Sequence, residues 1–319
     1  MSQALLLRLH RWISLVFALP LLVVIGTGLI LSFQPIVQMS SIRPNMLTAE
    51  KLESYVKRFD PQGQARNLSV DAYENTLTLN GVGPDGSIDV DLATGEEATA
   101  DDGWISDLFS NSRRLHEHFL FNLGWVVTAS TYAMIALASL GVLMGWPRLR
   151  NTVSGWHKGI AWFLLPFIMV SLVSGLGVAY GITFAPAQAN VAGAPRAQPV
   201  ALLEAVRLVS AHTDPSNLLS LGTRGGRQLA RIVENGEVRA YRVTREGLQP
   251  GPRNWPRLLH EGNWLGIWSG LANAVTSLAM LALLGTGLVI WARRKFRRPT
   301  RERSRRSVPA AQTAEGEIR

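Results

Sequence analysis

Residues 12–42 read WISLVFALPLLVVIGTGLILSFQPIVQMSSI, thirty-one consecutive positions without Asp, Glu, Lys or Arg. A helix needs roughly 20 apolar residues to cross the hydrocarbon layer of a bilayer, so this stretch predicts a membrane span. It is too long for the apolar region of a signal peptide, and no small-residue cleavage site follows it, so it reads as a retained anchor. Three further charge-free stretches occupy 119–147, 159–195 and 262–292. Only 17% of the 319 residues are charged and 47% are hydrophobic, which argues against a two-domain soluble protein. The expected fold class is therefore an α-helical membrane protein with four transmembrane helices.

Lys and Arg near helix ends set the orientation. The segment after the fourth span begins Arg293, Arg294, Lys295, Arg297, Arg298 and continues with Arg301, Arg303, Arg305 and Arg306. The short connection between spans two and three carries Arg148, Arg150 and Lys158, and Arg8 and Arg11 precede the first span. All belong in the cytoplasm, which puts both termini there and two long loops, 38–118 and 185–261, on the other side. Nine of the basic residues behind the +9 charge lie between 293 and 306, directly after a span, so membrane retention accounts for the charge and nucleic-acid binding is not expected. The tail from Pro299 is polar and aperiodic and reads as disordered.

The chain repeats itself. His10 lies 18 residues before Gly28 and His157 lies 18 before Gly175, with Leu9-His10-Arg11-Trp12 matching Trp156-His157-Lys158 and Pro20 matching Pro166. Leu115-His116-Glu117 stands 25 residues before Gly141, as Leu259-His260-Glu261 does before Gly285. The unit is helix, external loop, histidine, helix, taken twice. Two copies with an even number of spans point the same way, related by a pseudo-twofold axis along the membrane normal. Equivalent residues then approach that axis from opposite sides, so His10 faces His157 near the cytoplasmic surface and His116 faces His260 near the outer one.

Two neutral imidazoles on opposite sides of a metal suit the axial positions of a planar macrocycle. Zinc would want three or four ligands. With no cysteine in the chain there is no disulfide, no thiolate site and no thioether-linked haem, so two non-covalent haems b are the expected cofactors, with His10, His157, His116 and His260 as iron ligands. His118 is an alternative to His116, although Glu117 follows His116 as Glu261 follows His260. Glycines supply room for a flat ligand: Gly28 and Gly177 at one level, Gly141 and Gly285 at the other. Arg8, Arg11, Arg113, Arg114 and Arg257 are positioned either to pair with haem propionates or to serve as ordinary interfacial charges. His212 has no repeat partner and reads as a surface residue.

Gly81-Val82-Gly83-Pro84-Asp85-Gly86 matches GxGxxG, but the alternating Ser87-Ile88-Asp89-Val90-Asp91-Leu92 follows it where a dinucleotide fold needs a helix. It reads as a hairpin turn after Thr76–Leu79. In the second loop, 201–211 reads as a helix, and 231–233 and 238–243 as strands around Asn235-Gly236. Each loop is thus expected to be a small α+β module. Arg224, Arg227, Arg231, Arg239 and Arg242 there form either a solvated basic face or an attractant for anionic chelates.

The Leu-His-Arg-Trp opening, Gly26-Thr27-Gly28-Leu29, the module end Asp89-Val90-Asp91-Leu92-Ala93-Thr94-Gly95-Glu96 and Gly155-Trp156-His157-Lys158 resemble the PepSY-associated transmembrane family, over residues 1 to about 298. The resemblance implies two PepSY-like periplasmic modules on a di-haem protein of the bacterial inner membrane that delivers electrons to ferric siderophores in iron uptake. Some relatives carry a fused flavin or nicotinamide reductase. Here the implied donor is separate, a cytoplasmic flavin reductase or the quinol pool. The expected organisation is 1–37 N-terminus and first span, 38–118 first module, 119–147 second span, 148–156 cytoplasmic loop, 157–184 third span, 185–261 second module, 262–292 fourth span and 293–319 basic tail. The expected activity is that of a membrane ferric-siderophore reductase. Its rivals are a cytochrome b subunit serving another periplasmic protein and a non-redox, membrane-anchored binding module.

Overall fold

The computed structural model describes residues 2–83, 86–98, 103–147, 149–184 and 200–296. The tail from residue 297, Arg148, and the Pro84-Asp85 tip of the GxGxxG stretch lie outside the described residues.

The first half runs α1 (Gln3–Val16), α2 (Ala18–Ser41), α3 (Ala49–Phe59), β1 (Asn67–Asp71), β2 (Thr76–Asn80), β3 (Ser87–Asp91), α4 (Trp104–His118) and α5 (Gly124–Leu143). The second repeats the order with α6 (Val153–Phe163), α7 (Leu165–Ala179), α8 (Leu202–Ser210), β4 (Leu218–Arg224), β5 (Arg227–Glu234), β6 (Glu237–Thr244), β7 (Gly247–Pro250), α9 (Trp255–Glu261) and α10 (Gly266–Phe296). The duplication legible in the sequence is therefore a duplication of architecture, α1 answering α6, α2 answering α7, and so on to α5 and α10.

Three helices are long and apolar enough to cross a membrane, α2, α5 and α10. The fourth expected span is the pair α6 and α7, bent by 61°. The break falls at Leu164 (φ −98°, ψ 6°) just before Pro166, whose ring removes an amide donor from the first turn of α7. The equivalent junction in the first half is Phe17 (φ −94°, ψ 4°), three residues before Pro20. Exposed Trp12, Trp125, Trp146, Trp156 and Trp268 stand near helix ends, as amphipathic rings do at a headgroup boundary. These are the features of a multi-pass membrane protein.

The loops depart from expectation in one respect. Instead of two modules there is one seven-stranded antiparallel sheet, in the order β3-β2-β1-β4-β5-β6-β7. The seam is β1 against β4, pairing Asn67 with Gly222, Leu68 with Leu221 and Ser69 with Ser220. Separate modules would each leave a row of unpaired backbone groups along β1 or β4 and bury too little apolar surface to hold alone, whereas joining them satisfies both edges. Gly222 makes the seam possible, because a Cβ there would overlap the Asn67 side chain.

One core serves both halves. Leu52, Tyr55 and Val56, spaced as one face of α3, and Leu202, Ala205, Val206 and Val209, one face of α8, cover alternate strand residues Leu68, Val70, Leu77, Leu79, Val90, Leu221, Ala230 and Ile232. The hairpin expected around residues 81–86 joins β2 to β3, with the Gly81 amide donating to the Gly86 carbonyl at 2.7 Å. The strands β1, β4 and β7 and the helices α3, α4 and α9 have no counterpart in the sequence reading.

Candidate functional site

Two helices carry histidines from the sheet down to the long helices. α9 is capped by Asn254, whose side chain accepts from the Arg257 amide at 3.1 Å, has Pro256 in its first turn, and stops at Gly262 (φ 72°). Its last turn presents His260. α4 ends at Phe119, which with Phe121 and Asn122 has positive φ, a tight corner that turns the chain into α5 directly after His116 and His118. The top of α4 is tied to the sheet: Glu74 accepts from the Ser106 amide at 2.6 Å, Tyr73 and Ser106 hydroxyls lie 3.2 Å apart, and the Tyr73 and Phe109 rings meet edge to face. Burial pushes the Asp71 carboxyl beside them up, and burial with the nearby Asp71 charge pushes Tyr73 up to about 12.

The structure brings His116 and His260 together with ring centroids 5.9 Å apart, and His10 and His157 together at 6.4 Å. Each pair takes one histidine from each half. The pairs occupy different levels: His116 stands beside Val24, Thr27 and Gly28, which follow His10 by 14 to 18 positions in the sequence, so at 1.5 Å per residue they are separated by at most about 21–27 Å. His118 joins neither pair. It lines a separate pocket with Gln34, Asp71, Tyr73, Arg113 and Glu117.

The ring nitrogens are held in a consistent way. His116 Nδ1 lies 3.0 Å from the Val24 carbonyl oxygen and His260 Nδ1 lies 3.1 Å from that of Ser171, the same position 147 residues on. A carbonyl only accepts, so the proton sits on Nδ1 and Nε2 keeps its lone pair. His157 Nδ1 lies 2.8 Å from Thr286 Oγ1, whose own proton goes to the Ala282 carbonyl at 2.6 Å, so the hydroxyl accepts there too. His10 Nδ1 is buried without a hydrogen-bond partner among the described residues.

The glycines sort differently from the sequence reading. A Cβ at Gly28 would stand 3.1 Å from His116 Cε1, and one at Gly175 would stand 2.8 Å from His260 Cε1. Gly175, rather than Gly177, is thus the counterpart of Gly28, and Gly177 instead approaches Pro256 at 2.9 Å. Gly287 stands 3.6 Å from His157 Cε1, while Gly141 and Gly285 have no described atom within 4 Å of a Cβ position.

This donor set fits a bis-imidazole haem. Two metal–nitrogen bonds of about 2 Å on opposite sides of one ion place imidazole centroids roughly 6.3 Å apart, close to both observed separations. Nδ1 partners of this kind hold an imidazole in one orientation and would raise its basicity toward a metal at Nε2. Among the described residues no group of three or more His, Cys, Asp or Glu is gathered for a metal ion.

A cleft of about 580 Å³ opens between β4–β6 and α9, lined on the helix side by Arg257, Leu258 and Glu261. Arg231, Arg239, Arg253 and Arg257 line it with Glu237 and Glu261. Of the five loop arginines noted in the sequence, Arg231 and Arg239 face this cleft and Arg227 and Arg242 are not among its lining; the Arg224 side chain lies outside the described residues. Arg253 and the cleft itself escaped the sequence reading, which had Arg257 only as a propionate partner or an interfacial charge, because only the sheet seam brings the strands over α9.

Residues 7–294 match the family described as the PepSY-associated TM region, nine-tenths of the chain, and the chain belongs to that family. A comparison with the curated proteins finds no match.

Proposed function

We propose that this member of the PepSY-associated transmembrane family holds two haems b, one at each histidine pair, and carries electrons across the inner membrane to reduce a ferric siderophore in the periplasm, freeing Fe(II) for uptake. The observation that supports this best is the pairing itself: two symmetry-related pairs at two levels, at centroid distances of 5.9 and 6.4 Å, with three of the four Nδ1 atoms bonded to acceptors so that Nε2 is left to ligate.

Bound haem b supplies reversible one-electron chemistry at its iron. The chain's own contribution is to hold the imidazoles. Val24 and Ser171 carbonyls and the Thr286 hydroxyl fix the tautomer and ring orientation of His116, His260 and His157. The absence of a side chain at Gly28 and Gly175 lets the Cε1 edges of the His116 and His260 rings approach α2 and α7 closely. The arginine-rich cleft between the sheet and α9 attracts anionic chelates. An oxygen-rich chelator holds Fe(II) more weakly than Fe(III), so reduction releases the metal.

The distribution of Lys and Arg supports cytoplasmic termini and a periplasmic sheet. Electrons enter at the His10/His157 end from a cytoplasmic flavin reductase or from quinol. The test is a reduced-minus-oxidised spectrum with pyridine haemochrome quantitation on detergent-purified protein, which should give two b haems per chain and one in either His10→Ala or His260→Ala. No haem after expression with ample supply overturns the reading and leaves a membrane-anchored binding module. Capture of Fe(II) by a ferrozine-type chelator outside the membrane separates siderophore reduction from delivery of electrons to another periplasmic protein.

A further inference from the structure

Arg113 precedes His116 by three residues, as Arg257 precedes His260, and each lies near the glutamate one turn on, Arg113 to Glu117 at 3.8 Å and Arg257 Nε to Glu261 at 3.5 Å. There the likeness ends. An Arg113 terminal nitrogen donates to Gln34 Oε1 at 2.6 Å. The position equivalent to Gln34, 147 residues on, is Gly181, which has no side chain to offer. Arg257 Nε is buried without a hydrogen-bond acceptor, while its side chain keeps 42% exposure at the wall of the cleft. A buried N–H left unmet is costly and calls for a partner.

The surroundings indicate the sign of that partner. Glu237 takes both Arg253, through Oε1 and Oε2 at 2.7 and 3.0 Å, and Arg239 at 3.7 Å, while Glu261 serves both Arg231 at 3.8 Å and Arg257. Four arginines thus line the cleft against two glutamates, and its lining has positive charge to spare. A planar guanidinium whose Nε–H has only the long 3.5 Å contact to Glu261 matches a carboxylate edge on.

We propose that Arg257 is the receptor for a carboxylate brought by a ligand beside His260, either a propionate of the haem at that pair or an acidic arm of a metal chelate entering the cleft. The first source rests on the two-haem reading; the second does not. Arg113, already engaged by Gln34, has no such role.

The experiment compares full-length wild type, Arg257→Gln, Arg257→Lys and Arg113→Gln in detergent. Haem content is counted by pyridine haemochrome, midpoint potentials are measured by spectroelectrochemistry without chelate, and affinity for gallium(III) citrate, a redox-inert tricarboxylate chelate, is measured by calorimetry. If the carboxylate is a propionate, Arg257→Gln makes one haem about tenfold harder to reduce, 59 mV downward for a one-electron couple, because a cation that disfavours the ferric charge is gone. If it belongs to the chelate, potentials hold and gallium citrate binds about tenfold more weakly, a loss of 1.4 kcal/mol. Arg257→Lys keeps part of either effect, having the charge without the fork. Unchanged potentials and unchanged gallium citrate affinity in Arg257→Gln with its haem intact overturn the proposal, as does an equal response in Arg113→Gln. A wild-type protein without haem defeats the two-haem reading, and the gallium citrate comparison then decides Arg257 alone.

Discussion

Adding one methyl group at Gly175 should disable the sheet-side histidine pair and leave the other intact. In Gly175→Ala the new Cβ would lie 2.8 Å from His260 Cε1, 3.1 Å from Nδ1 and 3.4 Å from Nε2. The first of these is closer than real Cβ contacts allow, so the ring must shift. It is not a loose side-chain end: Nδ1 is held at 3.1 Å by the Ser171 carbonyl, and the ring faces His116 at 5.9 Å. Overpacking of this kind costs about 1–3 kcal/mol, and loss of the Ser171 bond adds about 1 kcal/mol. Disturbing the hydrogen bond that orients a ligating histidine weakens metal affinity about 10–100-fold. The matched control is Gly26→Ala in the first half, where a Cβ would meet nothing within 4 Å. Pyridine haemochrome on the two variants should give about one haem for Gly175→Ala and about two for Gly26→Ala, with a lower melting temperature in the former. Equal haem content and equal melting in both would show that Gly175 is not what seats His260, and the reasoning from backbone clearance would fail.

Three further outcomes follow from named contacts. His116→Ala should lose one haem whereas His118→Ala keeps two, because only His116 reaches His260; haem counting on the pair decides it. Glu53 on α3 bonds Arg207 of α8 and Lys57, and these hold its carboxyl down to about 2 against 4.5 normally. The depressed value means that the pair's stabilisation is complete above pH 4.5 and disappears as pH falls toward 2, so Glu53→Gln should flatten the acid limb of a melting-temperature profile and leave that limb's shape unchanged only if the contact is idle. Gly222→Val, placing bulk against Asn67 across the β1–β4 seam, should cost about 1–3 kcal/mol and expose the seam amides to hydrogen exchange, with β2–β3 pairing retained.

What was legible in the sequence was whatever the duplication repeats. The four histidines could be paired from spacing alone because His10 and His157, and His116 and His260, recur at offsets of 147 and 144, and the hairpin at 81–86 declared itself through local alternation. The seam was not legible. β1 and β4 are five- and seven-residue strands some 150 positions apart, and no local pattern announces a partner so far away. Each loop alone looks like a complete small module until the pairing of Leu68 with Leu221 is seen. The choice of glycine failed for a related reason. Gly28 and Gly175 each follow the carbonyl that binds a histidine, Val24 or Ser171, by four residues, one helical turn, and that carbonyl is identified only once α4 and α9 are docked. Gly177, two positions past the 18-residue spacing that Gly28 and Gly175 share, meets Pro256 instead.

The seam between β1 and β4 is also a mechanical statement about the protein. Every histidine pair is shared between the halves, so any swing of one half about the twofold axis changes the gap between imidazoles. At the sheet end the halves are riveted by three paired positions of backbone, Asn67 to Gly222 through Ser69 to Ser220, and by a core to which both contribute. Below the sheet the halves are joined by side-chain packing instead, α2 lying along α10 where Gly270 backs onto Ser32 and Ile36, and no strand pairing reaches α1 or α6 among the described residues. The sheet thus works as a spacer gauge, setting the jaw width at His116 and His260 in paired backbone, while the jaw at His10 and His157 is set by helix packing.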